Sequence, residues 1–209
     1  TKTIPMLKMT VVASLPVDRY PSHDEQVRQR LQDAAIACLR EQGFNKVTMR
    51  HIGERAGLVR QTVYNYYRNK HEVLAAAFMR EGMALAQDVA RHIRNLEGLD
   101  NQFVEGFLYV VEQFPRNSIL ALVLEPGSDF LAQVGMSYWP FSEIGLVVFA
   151  DIFQQFPALA AQAEEISEHW SRNAMSFLTL RGAAERNREE LADYVRRRLL
   201  PGLQLPAMP

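Results

Sequence analysis

Residues Thr48–Lys70 read TMRHIGERAGLVRQTVYNYYRNK, and their spacing decides the fold. Thr48 can cap a helix, its hydroxyl accepting from an orphan backbone N–H one turn in. Met49, Ile52 and Ala56 then fall at i, i+3 and i+7, the period of a buried helical face. Gly57 suits the turn that follows, because a left-handed backbone costs glycine nothing. A second helix is expected over Val59–Tyr67, with Leu58, Val63 and Tyr67 facing inward. That leaves Arg60, Gln61, Thr62, Tyr64 and Tyr66 outside. All five donate hydrogen bonds, which suits a helix laid in a DNA major groove: Arg and Gln meet base edges and hydroxyls meet phosphates.

The spacing T-x-x-x-I-x-x-x-A-G-L-x-x-x-T-V-Y-x-Y-Y-x-x-K resembles the DNA-binding signature of the TetR family of transcriptional regulators. The resemblance runs from roughly Glu25 to Phe78, from a first helix ending at Gly43-Phe44 into a helix opening at Lys70. It implies DNA contacts from Thr48, Arg60, Gln61, Thr62, Tyr64, Tyr66 and Lys70, with Tyr67 in the core. Two positions depart from the family pattern. Gly53 stands where alanine is usual, which suggests closer helix packing. Val59 stands where a serine often starts the recognition helix, so that helix lacks its usual side-chain cap.

Charge divides along the chain in the same sense. The formal net charge of the 209 residues is −1. Residues 22–80 hold ten Lys/Arg against six Asp/Glu, whereas residues 81–209 hold ten against seventeen. The basic part coincides with the helix-turn-helix, as a footprint on phosphate requires.

Around this head the chain reads as all-α, with nine helices. Residues 1–21 carry three prolines and form an irregular arm, more readily a plain tail than a DNA contact. Ser22 and Glu25 make a capping-box pair for the first helix, and Gly43 ends it. Residues 22–69 are thus expected as a three-helix DNA-binding domain, and 70–209 as a ligand-binding and dimerisation domain. A long fourth helix from Lys70 to about Leu96 would span roughly 40 Å at ~1.5 Å per residue and join the two. Beyond it, helices are expected over Asp100–Phe114, Ser118–Glu125, Pro140–Phe156, Ala158–Arg181 and Glu189–Leu200, with a short stretch after Phe130. No alternation of strand type appears.

The second region is dense in aromatics. Each ring alone is better explained by core packing. The family resemblance implies that some of them enclose a small-molecule effector, with Phe107, Phe130, Tyr138, Trp139 and Phe149 as candidates. Tyr138-Trp139 sits in the least regular stretch, which suits a wall or gate. The resemblance also implies a homodimer through the last two helices, with Trp170, Phe177, Tyr194 and Leu199 at the interface.

Other chemistry finds no support. The five histidines are scattered, and neither H-E-x-x-H, G-x-S-x-G, a P-loop nor G-x-G-x-x-G occurs, so no catalytic residue, metal or cofactor is expected. Cys38, the single cysteine, excludes an internal disulfide and lies on an apolar face. No apolar run reaches membrane length, and a cytoplasmic setting is expected. The reading is therefore a ligand-responsive regulator, a repressor as the family resemblance implies, released from a palindromic duplex operator by a small apolar or amphipathic molecule. The alternative is a helical small-molecule binder without specific DNA recognition.

Overall fold

The computed structural model describes residues 22–125, 130–133, 141–180 and 186–205. The arm 1–21 and the Tyr138-Trp139 pair lie outside the described residues. Among the described residues every regular element is helical.

The head consists of α1 (His23–Gln42), α2 (Met49–Ala56) and α3 (Arg60–Tyr66). Ser22 caps α1 in a full capping box with Glu25, satisfying two orphan donors reciprocally. Val27, Leu31, Ala34, Ala35, Cys38 and Leu39 form its buried stripe. Gly43 closes it at φ 73, and Phe44 folds back beneath. Cys38 is 1% exposed, and desolvation pushes its thiol above its ordinary pKa, as befits a small core hydrophobe.

Helix α4 (Lys70–Ile93) is capped by the Asn69 side chain, which accepts from the Glu72 amide. Its first turns bury Val73, Leu74, Ala77 and Phe78 in the core of the head. Its later turns bury Ala86, Val89 and Ile93 in a second core. The apolar core of the head therefore does not stop at residue 69. It also takes in Phe114, Ile119, Leu120 and Phe130 from farther along the chain. Phe130 opens the short α6 (Phe130–Gln133) and packs on both Phe44 and Phe78, at 6.0 and 5.4 Å between ring centroids.

The body is built from α5 (Leu99–Gln113), α7 (Phe141–Val148), α8 (Ala150–Gln155), α9 (Pro157–Ala160), α10 (Ala163–Thr179) and α11 (Arg188–Tyr194). Two expected helices are interrupted. The one over 140–156 breaks at Phe149 (φ −104, ψ 15), whose ring enters the core against Phe103 and Trp170. The one over 158–181 breaks at Gln162 (φ −120, ψ 16), separating α9 from α10. Residues 118–125 form a 3₁₀ turn, Leu120–Leu124, rather than a full helix. After α11 the backbone passes through a π-helical turn, Val195–Leu199, and a 3₁₀ turn, Leu200–Leu203. Helix α7 lies between α4 and α10. It meets α10 almost backbone to backbone: a Cβ on Gly145 would stand 2.5 Å from Ser167 Cβ and 2.7 Å from its Cα.

Candidate nucleic-acid interface

The α2–α3 corner rests on three local causes. Thr48 Oγ1 accepts from the His51 amide at 3.2 Å and so opens α2. Gly57 turns the chain at φ 63, ψ 36, where a side chain would strain the backbone. Gly53 lets the helices close: a Cβ there would meet Val63 Cγ2 at 2.9 Å and the Leu58 carbonyl at 3.3 Å. The glycine at this position is thus a packing requirement. Arg30, from α1, donates to the Ala56 carbonyl at 2.6 Å and steadies the corner.

Helix α3 then shows two faces. Val63 and Tyr67 are buried, at 1% and 6% exposure, and Tyr67 Oη accepts from Gln32 Nε2 at 2.9 Å. Arg60, Gln61 and Tyr64 are exposed, and Thr62 is half-buried. The Arg60 guanidinium lies over the Tyr64 ring at 5.4 Å, and Gln61 Nε2 donates to Asn65 Oδ1 at 3.3 Å. Both contacts are within the exposed face and hold long side chains outward without burying them. Thr48 is exposed as well, its hydroxyl hydrogen still available beside the cap it accepts.

Two expected contacts are tied back into the head. Tyr66 turns toward α1: its hydroxyl donates to Asp24 Oδ1 at 2.7 Å, and the Arg28 guanidinium covers its ring at 5.3 Å. The Asp24 carboxylate holding that proton keeps the phenol above its ordinary pKa. Tyr66 is thereby a strut between helices rather than part of the outward face. The periodicity missed this because one position of α3 looks along the head instead of away from it. Lys70 is half-buried; its Nζ donates to the Phe44 carbonyl at 2.9 Å and sits 4.6 Å over the Phe44 ring. It locks the α1–α2 connection onto the start of α4.

The outward side of the head is a groove of about 820 Å³. Thr48, Arg50, Val59, Arg60, Tyr64, Arg68 and Lys70 line it. Arg50 and Arg68 are cations that the spacing argument did not single out. Each is loosely held: Arg50 Nε is 3.8 Å from Glu54, and Arg68 Nε is 4.0 Å from Glu72. Exposed pairs of this kind contribute little and are readily exchanged for phosphate. Their signal in sequence was proximity, Arg50 two residues past the cap and Arg68 directly after Tyr67.

Three of the five expected pocket rings, Phe107, Phe130 and Phe149, are core. Phe107 and Phe149 are fully buried and pack on Trp170 at 6.0 and 5.0 Å, while Phe130 belongs to the core of the head. Trp170 and Leu199, expected at a dimer surface, are 1% and 3% exposed and turned into the chain's own interior. Trp170 Nε1 donates to the Phe103 carbonyl at 3.2 Å, which satisfies the indole without a partner chain. Phe177 and Tyr194 are half-buried and packed on each other at 5.4 Å. Beside Trp170 a cavity of about 40 Å³ opens among α4, α5, α7 and α10, lined by Leu85, Val110, Phe114, Ile144, Val148, Ser171 and Met175. Its polar group is Ser171, whose Oγ is buried without a hydrogen-bond partner. Among the described residues no three His, Cys, Asp or Glu side chains are gathered to hold a metal, and no helix is long and apolar enough to cross a membrane.

Among the described residues an all-helical fold presents a helix-turn-helix with a cationic outer groove, a surface of the shape and charge that suits duplex DNA. Residues 31–77, which span most of the head and the first turns of α4, match the family model for bacterial regulatory proteins of the tetR family. Solved structures share the fold of most of the chain. A TetR-family repressor from Dietzia sp., AlkX, implicated in biodegradation of n-alkanes, is 20% identical; the match covers 85% of this chain and 95% of that one, with a TM-score of 0.58. A putative TetR-family regulator from Mesorhizobium loti is 14% identical over 88% of this chain and 98% of that one (TM-score 0.53). A TetR-family regulator from Streptomyces coelicolor is 16% identical over 90% and 99% (TM-score 0.51). No curated protein matches the chain.

Proposed function

We propose that the chain is a cytoplasmic transcriptional repressor that binds a palindromic operator as a homodimer and is released by a small apolar or amphipathic molecule. The observation that carries this reading is the division of α3, with Val63 and Tyr67 inside, Gln61 exposed, and Arg60 and Tyr64 outside along a cationic groove. In that reading Arg60 and Gln61 read base edges, while Thr48, Thr62 and Tyr64 meet phosphates, with Arg50 and Arg68 joining them. Lys70 and Tyr66 contribute by holding α3 and α4 in place.

The effector site is assigned to residues 70–209, at the cavity beside Trp170. At about 40 Å³ it is far below the ~300–1,000 Å³ of ligand pockets, so a ligand must part the helices around it to enter. Helix α4 lines the cavity through Gly82, Leu85 and Ala86, while its first turns are locked in the core of the head. A side-chain tie reinforces this joint: Arg80 of α4 donates to Asp33 of α1 at 2.7 Å. A displacement of α4 at the cavity therefore reaches α3. The ligand shifts the equilibrium only by its differential affinity for the two arrangements. A coupling of ~1–3 kcal/mol would change operator affinity about 5–150-fold.

Fluorescence anisotropy on duplexes selected from a random-sequence pool tests the reading. Selected duplexes should bind more tightly than random DNA, with affinity falling steeply as salt rises. Arg60→Ala should cost ~1–3 kcal/mol on selected duplexes and much less on random DNA. Equal affinity for every sequence would leave a small-molecule binder without operator recognition.

A further inference from the structure

The Val59 side chain belongs to neither hydrophobic core. The residue is the N-cap of α3, yet it makes no side-chain cap bond. It is also 71% exposed, which among the described residues makes it one of three large hydrophobics left in solvent. Serine, threonine, aspartate or asparagine would each strengthen the helix there, because their oxygens accept from the first-turn amides. Valine forgoes that gain and leaves two methyl groups in water.

Those methyls are nonetheless held in a defined place. The Val59 backbone is extended (φ −70, ψ 151), and its carbonyl accepts from the Val63 amide at 3.2 Å. Val63 is itself locked beneath, against Gly53. A β-branched side chain on such a backbone has little freedom at χ1. The methyls lie on the wall of the outward groove together with Arg60 and Tyr64. A recognition helix in the major groove presents its N-terminal residues to the base edges. The major groove there offers one apolar group, the C5 methyl of thymine.

We propose that Val59 is a specificity-determining residue that reads a thymine methyl in each half-site. The inference rests on the DNA-binding reading of α3 and adds the base that this position selects. Arg60 would meet its own base by hydrogen bonds, whereas Val59 would meet its thymine by exclusion of water from two apolar surfaces. Cytosine, which carries hydrogen at C5, would leave the valine methyls facing a gap.

The test uses the whole chain and duplexes selected by it from a random-sequence pool. Each thymine of the selected site is replaced in turn by deoxyuridine, which removes the C5 methyl and preserves the Watson–Crick edge. Binding of wild type and of Val59→Ala is then compared on every duplex. One deoxyuridine position per half-site should weaken wild type about four-fold, the value of one buried methyl. The same replacement should leave Val59→Ala unaffected, while deoxyuridine at other positions acts alike on both. Because Val59 is exposed, Val59→Ser should fold and should unfold at a higher temperature than wild type through its new cap, while losing the preference for thymine. Equal deoxyuridine losses in wild type and Val59→Ala at every position would overturn the role of Val59 and leave operator recognition standing. Failure of the pool to yield any preferred sequence would overturn both.

Discussion

On α3, Val63 and Tyr67 go inside while Arg60, Gln61, Tyr64 and even Val59 stay in solvent. Around α10 the arrangement is reversed: Trp170, Phe107, Phe149 and Phe103 pack into one core, and the cavity beside Trp170 is only about 40 Å³. The head therefore displays a finished surface, whereas the body must be opened before it can hold anything of ligand size. In the proposed function a duplex finds its donors already in place, whereas an effector has to part packed side chains to enter.

The largest effect should follow from attacking the closed side of this contrast. Trp170→Ala removes a fully buried indole and should cost ~3–5 kcal/mol of stability in chemical denaturation. A loss under about 1 kcal/mol would mean that the ring lines a space rather than fills a core. Next in size is the close packing beneath the open side. Gly53→Ala forces Val63 and the Leu58 carbonyl apart and should cost about 1–3 kcal/mol. Because α3 is displaced, selectivity between selected and random DNA should fall as well; unchanged selectivity would show that α3 can absorb the methyl.

Lys70 separates a strut from a contact. Lys70→Met breaks a half-buried, charge-assisted hydrogen bond and should lower stability by ~1–2 kcal/mol. The dependence of DNA affinity on salt should stay as it was. A salt slope reduced by about one unit would return Lys70 to the phosphate contacts.

The smallest effect lies on the surface of the body, where Arg188 Nη2 donates to Glu105 at 2.7 Å. That hydrogen bond holds the Glu105 carboxyl below its ordinary pKa. A depressed folded-state pKa stabilises above the unfolded value and is lost as pH falls through the folded one, so the window lies below about pH 4.5. Glu105→Gln should cost under ~1 kcal/mol at neutral pH and flatten the stability profile in that acid range, as followed by thermal melts across pH.

The head was legible because its signals are local. Caps at Ser22 and Thr48, the left-handed Gly57 and the period of Met49, Ile52 and Ala56 each act within a turn or two of chain. Even the Gly53 departure announced its cause in advance, closer packing of α2 on α3. Tyr66 and Lys70 escaped because their partners, Asp24 and Phe44, are 42 and 26 positions away and nothing in the local pattern marks them. The body was harder for the same reason. A ring such as Phe149 or Trp170 has one appearance in sequence whether it packs, lines a pocket or meets a partner; only the long-range fold distinguishes these fates. The break at Phe149 likewise has no proline or glycine to signal it.

The central claim is that two copies of the outward α3 face lie in successive major grooves of one duplex. Successive grooves on one side recur every ~10–10.5 bp, so about five base pairs inserted between the half-sites of a selected operator turn one half-site to the opposite side. Anisotropy titrations of the parent and lengthened duplexes decide the matter. The account predicts that the insertion drops affinity to the level of random DNA. Equal affinity for the two duplexes would contradict it.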